Sequence, residues 1–526
     1  MAYYKDMREH IEALEAHNKL VRIKREINKD TELMPLVRWQ FRGLPEEERK
    51  AFLFENVVDA NGKKYNVPVI VASYAASREV YAISLMCQPG EIAEKIAQGQ
   101  RQPVEPRIVK DGPAQEEIHT GKKLLEHGGL AEFPVPISTP GFDNAPYVSA
   151  GNWITKDPDT GIRNSGIYRA MIKSNTRTGI MNHPGQHLWL HWDKCRQMGK
   201  PLQAALVIGA VPAVGFTSAM KLPYGVDELA VSGGIAGEPI ELVKCKTVDI
   251  EVPATAEIVI EGELPTDSME REGPFGEYTG YMAVAEVGPY FNVTCITHRK
   301  NPIYHAFISQ FPPSESSKLR HIGGEAYLYK FLRYDCGLPV VEVALHEACG
   351  AAPYCVVSLK KTHLSQAWQT LYGVITSGPS YKVVVVVDDD IDPRDADSVN
   401  WAISWRVQPG RDTCVAQGII SGLDPSLVPP TAPRTGYPVP SGSSVLLINA
   451  TTKWDYPTVS LPEKRFMERA EQIWHEEGLP ELKPRTPWFG YPLGYSTREY
   501  EEEAELAVKG QYFQTGEKLA KQRVKL

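Results

Sequence analysis

The sequence lacks most of the signals from which a function is commonly read. Its longest purely aliphatic run, Val383 to Val387, is far short of the ~20 apolar residues that a membrane-spanning helix needs. The first residues are charged from Lys5 onward and form no secretory apolar stretch. These two absences predict a cytoplasmic protein that makes no membrane contact. Lys and Arg total 57 against 65 for Asp and Glu, a formal charge of −8, so no basic stripe is available to neutralise phosphates and nucleic acid is not an expected partner. The eight cysteines form no CxxC pair and no zinc-finger spacing, which fits free thiols in a reducing compartment. Cys349 and Cys355 flank Gly350 and Pro353 near a turn and read as small buried residues before they read as a redox pair. The glycine-rich SGGIAGEP (232–239) is not GxGxxG, so it gives no dinucleotide signature, and there is no internal repeat.

What is present is ordinary globular material in several units. A chain of 526 residues suggests three or so domains at ~100 to 200 residues each. Residues 1–125 read as a mixed α+β region: Met7, Ile11 and Leu14 recur at helical spacing, LVRIKREI alternates like a strand, and 91–99 form a helix ended by Gly99. Polar, proline-dotted sequence from Gln100 to Gly121 and the extended FPVPISTPG (133–141) place a boundary nearby. Residues 126–315 carry short strands separated by turn residues, the pattern of a barrel. From 316 to 460, strands alternate with helices at 363–376 and around Trp401, and the uniformly aliphatic strand at Val383 calls for a buried parallel sheet. Residues 461–526 read as a helical tail, with Phe466, Ala470, Ile473 and Trp474 on one face and a charged stretch from Tyr500 that suits either solvent or a neighbouring subunit.

A few residues could carry chemistry. Glu272 and Glu277 sit on a segment that Gly273, Pro274 and Gly276 keep out of a helix, so two carboxylates are offered from a constrained loop. If both face one pocket, mutual repulsion and burial would raise at least one pKa, as a general acid requires; otherwise one of them caps a strand end in water. Asn164 and Arg169 lie five apart on a strand, on opposite faces unless Ser165-Gly166 bulges. Arg169 could hold a carboxylate through two parallel hydrogen bonds, or serve as a surface ion-pair residue. His183, His187 and His191 recur at helical spacing, but the glutamate of HExxH is missing and Pro184-Gly185 interrupts the helix, which rejects a zinc protease. Glu228 stands near a helix start, where a solvated first-turn acid is the simplest reading. The acids Asp388 to Asp392 cap the next helix more readily than they bind a metal.

Taken in order, NSGIYRAMI (164–172), QH (186–187), TSAM with the downstream GVDEL (217–229), EGPFGEYTGY (272–281), YKVVVVVDDDID (381–392) and NATTKW (449–454) resemble the UbiD family of reversible decarboxylases over nearly the whole chain. The resemblance implies a mixed α/β protein with a central split β-barrel that binds prenylated FMN, flanked by the N-terminal α+β region and a C-terminal α/β sheet domain. It implies that Asn164, His187 and Glu228 ligate a divalent ion, usually Mn²⁺, and that Thr217, Ser218 and Met220 hold K⁺ together with Glu228. Ile167, Tyr168, Arg169, Gln186 and Ser218 would contact the cofactor, Lys382 its phosphate, and Arg169, Glu272 and Glu277 would be the catalytic set. The implied partners are an aromatic acid or its CoA thioester, a flavin prenyltransferase that supplies the cofactor, and further copies of the chain as a homodimer or homohexamer. The extra histidines 183 and 191 and the extension beyond residue 480 depart from the pattern. Other readings are a carboxylase running the reverse direction, a decarboxylase of a phthaloyl-CoA-like thioester, a metal-dependent hydrolase using His183, His187 and Glu228, and a non-catalytic scaffold.

Overall fold

Asp6 starts the first helix by accepting the backbone N–H groups of Arg8 and Glu9, and Met7–Ala16 then buries Met7, Ile11 and Leu14 on one face. The computed structural model describes residues 2–350, 353–378, 381–417, 423–427, 443–490, 496–522 and 524. The strand Leu20–Asn28 runs parallel to Ala51–Val58, which pairs antiparallel with Val69–Val71. Tyr304–Ala306 completes this sheet, parallel to Val69–Val71, so a strand from beyond the barrel returns to the N-terminal region. Val69 and Val71 accordingly share one core with Trp153, Leu206 and Ile258 of the barrel.

The expected stop at Gly99 is corrected by the structure: the helix Ile92–Arg101 runs through it. A Cβ at Gly99 would stand 2.9 Å from the backbone nitrogen of Ile235, so glycine is there to let this helix cross Glu228–Ala236 closely. Its ~1 kcal/mol intrinsic cost in a helix is offset by that contact.

The central sheet has nine strands, in the order Tyr147–Val148, Ala170–Ser174, Arg177–Gly179, Tyr290–His298, Ile258–Leu264, Leu202–Ile208, Asn152–Lys156 and Arg163–Ile167, with Glu117–Thr120 also on Tyr290–His298. Every pairing in it is antiparallel. The sheet curls but does not close among the described residues, which makes it a split barrel.

The C-terminal sheet places Val383–Asp388 at its centre, between Tyr354–Leu359 and Ser444–Asn449, parallel to both. Val340–Leu345 and Thr413–Gln417 close the two edges in antiparallel fashion. The valine run is explained by burial on both faces. Val384 and Val386 pack with Leu371 and Val374 of the helix Ser365–Thr376, while Val385 and Val387 pack with Val399 and Ala402 of Ala396–Arg406. Between barrel and sheet lies a helix that sequence periodicity did not reveal, Glu315–Lys330, which buries Glu315, Lys318, His321 and Glu325. The tail helices Lys464–Glu476, Arg498–Val508 and Tyr512–Ala520 bury no residue. No helix among the described residues is long and apolar enough to cross a membrane.

Candidate active site at the barrel seam

The strands Arg163–Ile167 and Ala170–Ser174 are separated by only two residues, yet one forms an edge of the central sheet and the other lies next to the opposite edge. Tyr168 and Arg169 therefore carry the chain across the open seam of the barrel. Pairing with Asn152–Lys156 is regular from Arg163 through Ile167, so the strand has no bulge at Ser165-Gly166 of the kind that would bring Asn164 and Arg169 to one face. The break falls one step later. There the Tyr168 carbonyl accepts the indole N–H of Trp153 at 2.8 Å, which fixes the crossing.

Arg169 is buried beside the Glu272–Glu277 loop. Its Nε and Nη2 donate to the two oxygens of Glu272 at 3.1 and 2.9 Å, and Nη1 donates to Glu277. The guanidinium packs against the Phe275 ring at 5.0 Å. The two carboxylates thus face one site, as one of the two readings of the loop required, but they meet there through a cation. Burial works against the Arg169 charge, but Glu272 and Glu277 outweigh it and raise its pKa. Gly179 leaves room for Glu272, whose Cγ would stand 2.6 Å from a Cβ placed there. Three residues not singled out from the sequence shape the loop. Asn144 donates to the Gly273 carbonyl at 2.8 Å, the Tyr147 hydroxyl to that of Pro274 at 3.0 Å, and Asp143 accepts the Gly276 N–H at 2.9 Å. Burial lifts the Asp143 carboxyl to about 6. Nothing in the plain run FDNAPY marks these roles, because they depend on a loop some 130 residues away.

At the other end of the same hexapeptide, the helix His187–Gln197 begins where Pro184-Gly185 releases the chain. His187 Nδ1 lies 3.1 Å from Asn164 Oδ1 and 3.7 Å from Glu228 Oε1. Glu228 is the first residue of Glu228–Ala236, capped by Asp227, and is 3% exposed, so the solvated first-turn reading does not hold. Burial pushes its carboxyl pKa up, against the bonds it accepts from His187 and from the Ser165 N–H at 2.8 Å. Asn164 Nδ2 is buried with no hydrogen-bond partner. Oxygen, imidazole nitrogen and carboxylate converge here, and no lysine or arginine among the described residues forms an ion pair with Glu228. Adjacent ligands of an octahedral ion stand about 3 Å apart, so this donor set fits a hard or borderline divalent cation. A small cavity lined by Asn164, His187, His191 and Tyr224 adjoins it.

Other candidates are distributed unevenly. Ser218 joins the set, its hydroxyl 2.7 Å from that of Ser165. The Thr217 hydroxyl is instead engaged by Ser232 at 2.7 Å and by the carbonyl of Ala213, and Met220 ends the helix Pro212–Ala219. Gln186 turns back to accept the His183 N–H at 2.7 Å. His183 lies 4.0 Å from Glu286, and His191 bonds Thr155 at 2.9 Å, so His183 is engaged away from the His187–Glu228 pair. The structure does not bring Lys382 to this set, because its ammonium pairs with Asp424 at 2.8 Å and with the Ser426 hydroxyl. An exposed lysine closer in sequence to the site is Lys221, directly after Met220, whose pKa is lowered by desolvation and by Arg320.

A split barrel with Arg–Glu and Asn–His–Glu clusters at its seam, joined to an α/β sheet domain, has the polar, inward-facing side chains of an enzyme active site. Three family models match the chain in order. They are the N-terminal domain of 3-octaprenyl-4-hydroxybenzoate carboxy-lyase at residues 11–99, its Rift-related domain at 107–312 and its C-terminal domain at 319–447. The chain belongs to the UbiD family of carboxy-lyases. An uncharacterized protein of Aquifex aeolicus is 31% identical over 90% of this chain and 99% of its own length. Among solved structures, an evolved dimeric form of the UbiD-class enzyme HmfF from Pelotomaculum thermopropionicum, in complex with prFMN, is 32% identical. It covers 89% of this chain and all of its own, with a TM-score of 0.76. The vanillic acid decarboxylase of Sedimentibacter hydroxybenzoicus in its closed form is 26% identical over 90% of this chain and 99% of its own, with a TM-score of 0.77.

Proposed function

We propose that the chain decarboxylates, without net oxidation, an aromatic or α,β-unsaturated carboxylic acid with the help of prenylated FMN. The observation that carries this reading is Arg169 held between Glu272 and Glu277 at the seam. Loss of CO₂ from an sp² carbon leaves an electron pair that no side chain can delocalise, and the bound flavin supplies the electrophile that accepts it. The protein's own part is positioning and proton transfer. Glu272 takes one edge of the guanidinium through Nε and Nη2 and fixes its plane, leaving Nη1 as the nitrogen on which an incoming carboxylate competes with Glu277. Once displaced from Nη1, Glu277 takes a proton from solvent and delivers it to the carbon that loses CO₂, so one solvent proton is consumed per turnover. Asn164, His187 and Glu228 would hold a divalent ion, Mn²⁺ in our reading, against the cofactor phosphate. Ser218 and the backbone around Met220 would hold K⁺. The buried Glu228 and the Asn164 Oδ1 set 3.1 Å from His187 Nδ1 support that assignment.

The chain would receive its cofactor from a flavin prenyltransferase, and its exposed tail helices suit contacts between copies in a homodimer or homohexamer. A hydrolase built on His183, His187 and Glu228 is disfavoured by the placement of His183 beside Glu286. The test is to purify the chain with and without a co-expressed prenyltransferase and assay CO₂ release from a panel of aryl and acrylic acids, including CoA thioesters. Activity only in the co-expressed protein is expected. Equal turnover in protein carrying unmodified FMN alone would overturn the proposal.

A further inference from the structure

A second cluster of metal-ligating side chains lies far from the seam. His119 stands on the strand Glu117–Thr120, His127 just after the helix Lys122–Glu126, and Glu132 at the end of the short turn Gly129–Glu132. One ligand atom from each lies within 4.8 Å of the others. His298, the last residue of Tyr290–His298, completes the group: its Nε2 is 3.5 Å from Glu132 Oε1, while His119 Nδ1 is 3.0 Å from Glu132 Oε2. The opposite end of that strand follows Glu286–Gly288, the partner of the strand carrying Glu272. Eight residue steps at ~3.4 Å separate the two ends, roughly 27 Å.

The hydrogen bonds of His298 decide what the cluster wants. Its Nδ1 lies 2.8 Å from the Arg299 carbonyl, which can only accept, so Nδ1 carries the proton and donates it. Nε2 is buried with no hydrogen-bond partner on a residue that is 6% exposed, so it meets Glu132 either with a proton on a charged ring or with a lone pair on a neutral one. A lone pair facing a carboxylate across 3.5 Å is unfavourable unless a cation stands between them. A carbonyl that fixes the outer nitrogen while the inner one points at a neighbouring acid is the usual support of a metal-ligating histidine. The separations of 3.0 and 3.5 Å bracket the ~3.3 Å between ligands of a tetrahedral zinc at ~2.0 to 2.1 Å. His127 is exposed and stacks on the His119 ring at 3.8 Å, from which a side-chain rotation presents its nitrogen.

We infer that His119, His127, Glu132 and His298 form a structural Zn²⁺ site, separate from the seam, that fastens residues 117–132 to the end of the barrel. Three imidazoles and one carboxylate suit zinc, and four protein ligands leave no open position for substrate.

The test uses the full chain stripped with a chelator. Zn²⁺ is titrated against a chromophoric competitor, bound metal is counted by elemental analysis, and Tm is followed with and without Zn²⁺, in wild type, His127→Ala, His298→Ala and Glu228→Gln. His127→Ala removes an exposed side chain and is expected to fold as wild type does when no metal is present. It should hold one Zn²⁺ fewer than wild type, or bind that equivalent more than ~10-fold more weakly. Zn²⁺ should raise the Tm of wild type and of Glu228→Gln, but not that of His127→Ala. Co²⁺ should give intense tetrahedral visible absorption in wild type that is lost in His127→Ala. Equal zinc content in wild type and His127→Ala would overturn the inference, as would a zinc equivalent that Glu228→Gln loses and His127→Ala keeps. A wild type that takes up no zinc would also overturn it and leave the cluster as a carboxylate held by a protonated His298. Should His298→Ala fail to fold, His127→Ala carries the test alone.

Discussion

Asn164 and Arg169 belong to one hexapeptide but lead to two clusters that handle buried charge in opposite ways. At Arg169, each carboxylate has its cation within the chain: Glu272 is bound through two nitrogens and Glu277 through a third. At Asn164, a buried glutamate faces a histidine and a backbone amide and pairs with no lysine or arginine among the described residues. The first arrangement is complete as it stands and resists disruption. The second stores a demand for a positive ion, so removing its carboxylate relieves the fold while abolishing the binding it was built for. The difference separates a cluster whose charges are balanced within the chain, and which a ligand enters by exchange, from one whose charge awaits a ligand.

The largest effect is expected where the charge is already balanced. Arg169→Met leaves Glu272, 1% exposed, without its partner, and breaking a buried pair from one side typically costs about 3 to 5 kcal/mol. Urea denaturation should show that loss, with decarboxylation undetectable. Adding Glu272→Gln should restore much of the stability and none of the activity. A single variant as stable as wild type would mean that the pair does not contribute to the fold.

Glu277 sharpens the contrast within that cluster, since its side chain is 12% exposed and it holds Arg169 through one nitrogen only. Glu277→Gln should lower kcat by ~10² to 10⁴ while metal and flavin remain bound, as expected for loss of a positioned general acid. Deuterium exchange from solvent into the product should fall in parallel. Unchanged exchange would move the proton donor to Glu272.

On the other side of the comparison, Glu228→Gln should lose divalent ion and flavin together, yet the stripped variant should be no less stable than stripped wild type, because it no longer buries a carboxylate that lacks a cation. Elemental analysis, flavin absorbance and thermal melts read the three outcomes separately. A variant that retains flavin after losing the ion would break the link between them.

How much of this could be read from the residues alone depends on how local each cause is. The valine run at 383–387 encodes its own answer, since only burial on both faces tolerates it, and the structure puts Ala367 and Val399 against alternate sides. Likewise, Pro184-Gly185 dictates that a helix begins at His187. The helix Glu315–Lys330 escaped because its buried residues include, among Leu319, Ile322, Ala326 and Leu328, the charged or polar Glu315, Lys318, His321 and Glu325, which signal solvent unless their partners are known. Those partners are distant: Arg394 and Arg78 on Glu325, and Glu347 on Lys318. Gly99 failed as a stop for the same reason, its cause being a helix more than a hundred residues downstream. At the site, EGPFGE identified two acids, but that Arg169 stands between them follows from the seam, which is a property of the sheet order and not of any segment.

The smallest effect concerns the support of the loop. Asp143 accepts the N–H groups of Thr139 at 2.7 Å and Gly276 at 2.9 Å, yet burial holds its carboxyl at about 6. The unfolded value is ~3.9, so the native state keeps a proton that the unfolded chain gives up between these limits. The sign follows directly: the contribution of this group to stability is fully present below ~3.9, declines as pH rises, and is gone once pH has passed about 6. Asp143→Asn keeps one acceptor oxygen and loses the other, at a cost of about 1 kcal/mol for one hydrogen bond, but it cannot titrate. Wild type should therefore lose stability relative to Asp143→Asn between pH 4 and pH 6, roughly the interval between those two values, and the two curves should run parallel above it. Turnover should change by only a few fold, since Asn144 and Tyr147 still hold Gly273 and Pro274. Curves that stay parallel from pH 4 upward would show that Asp143 is ionised in the folded protein throughout, and that its two backbone donors outweigh its burial.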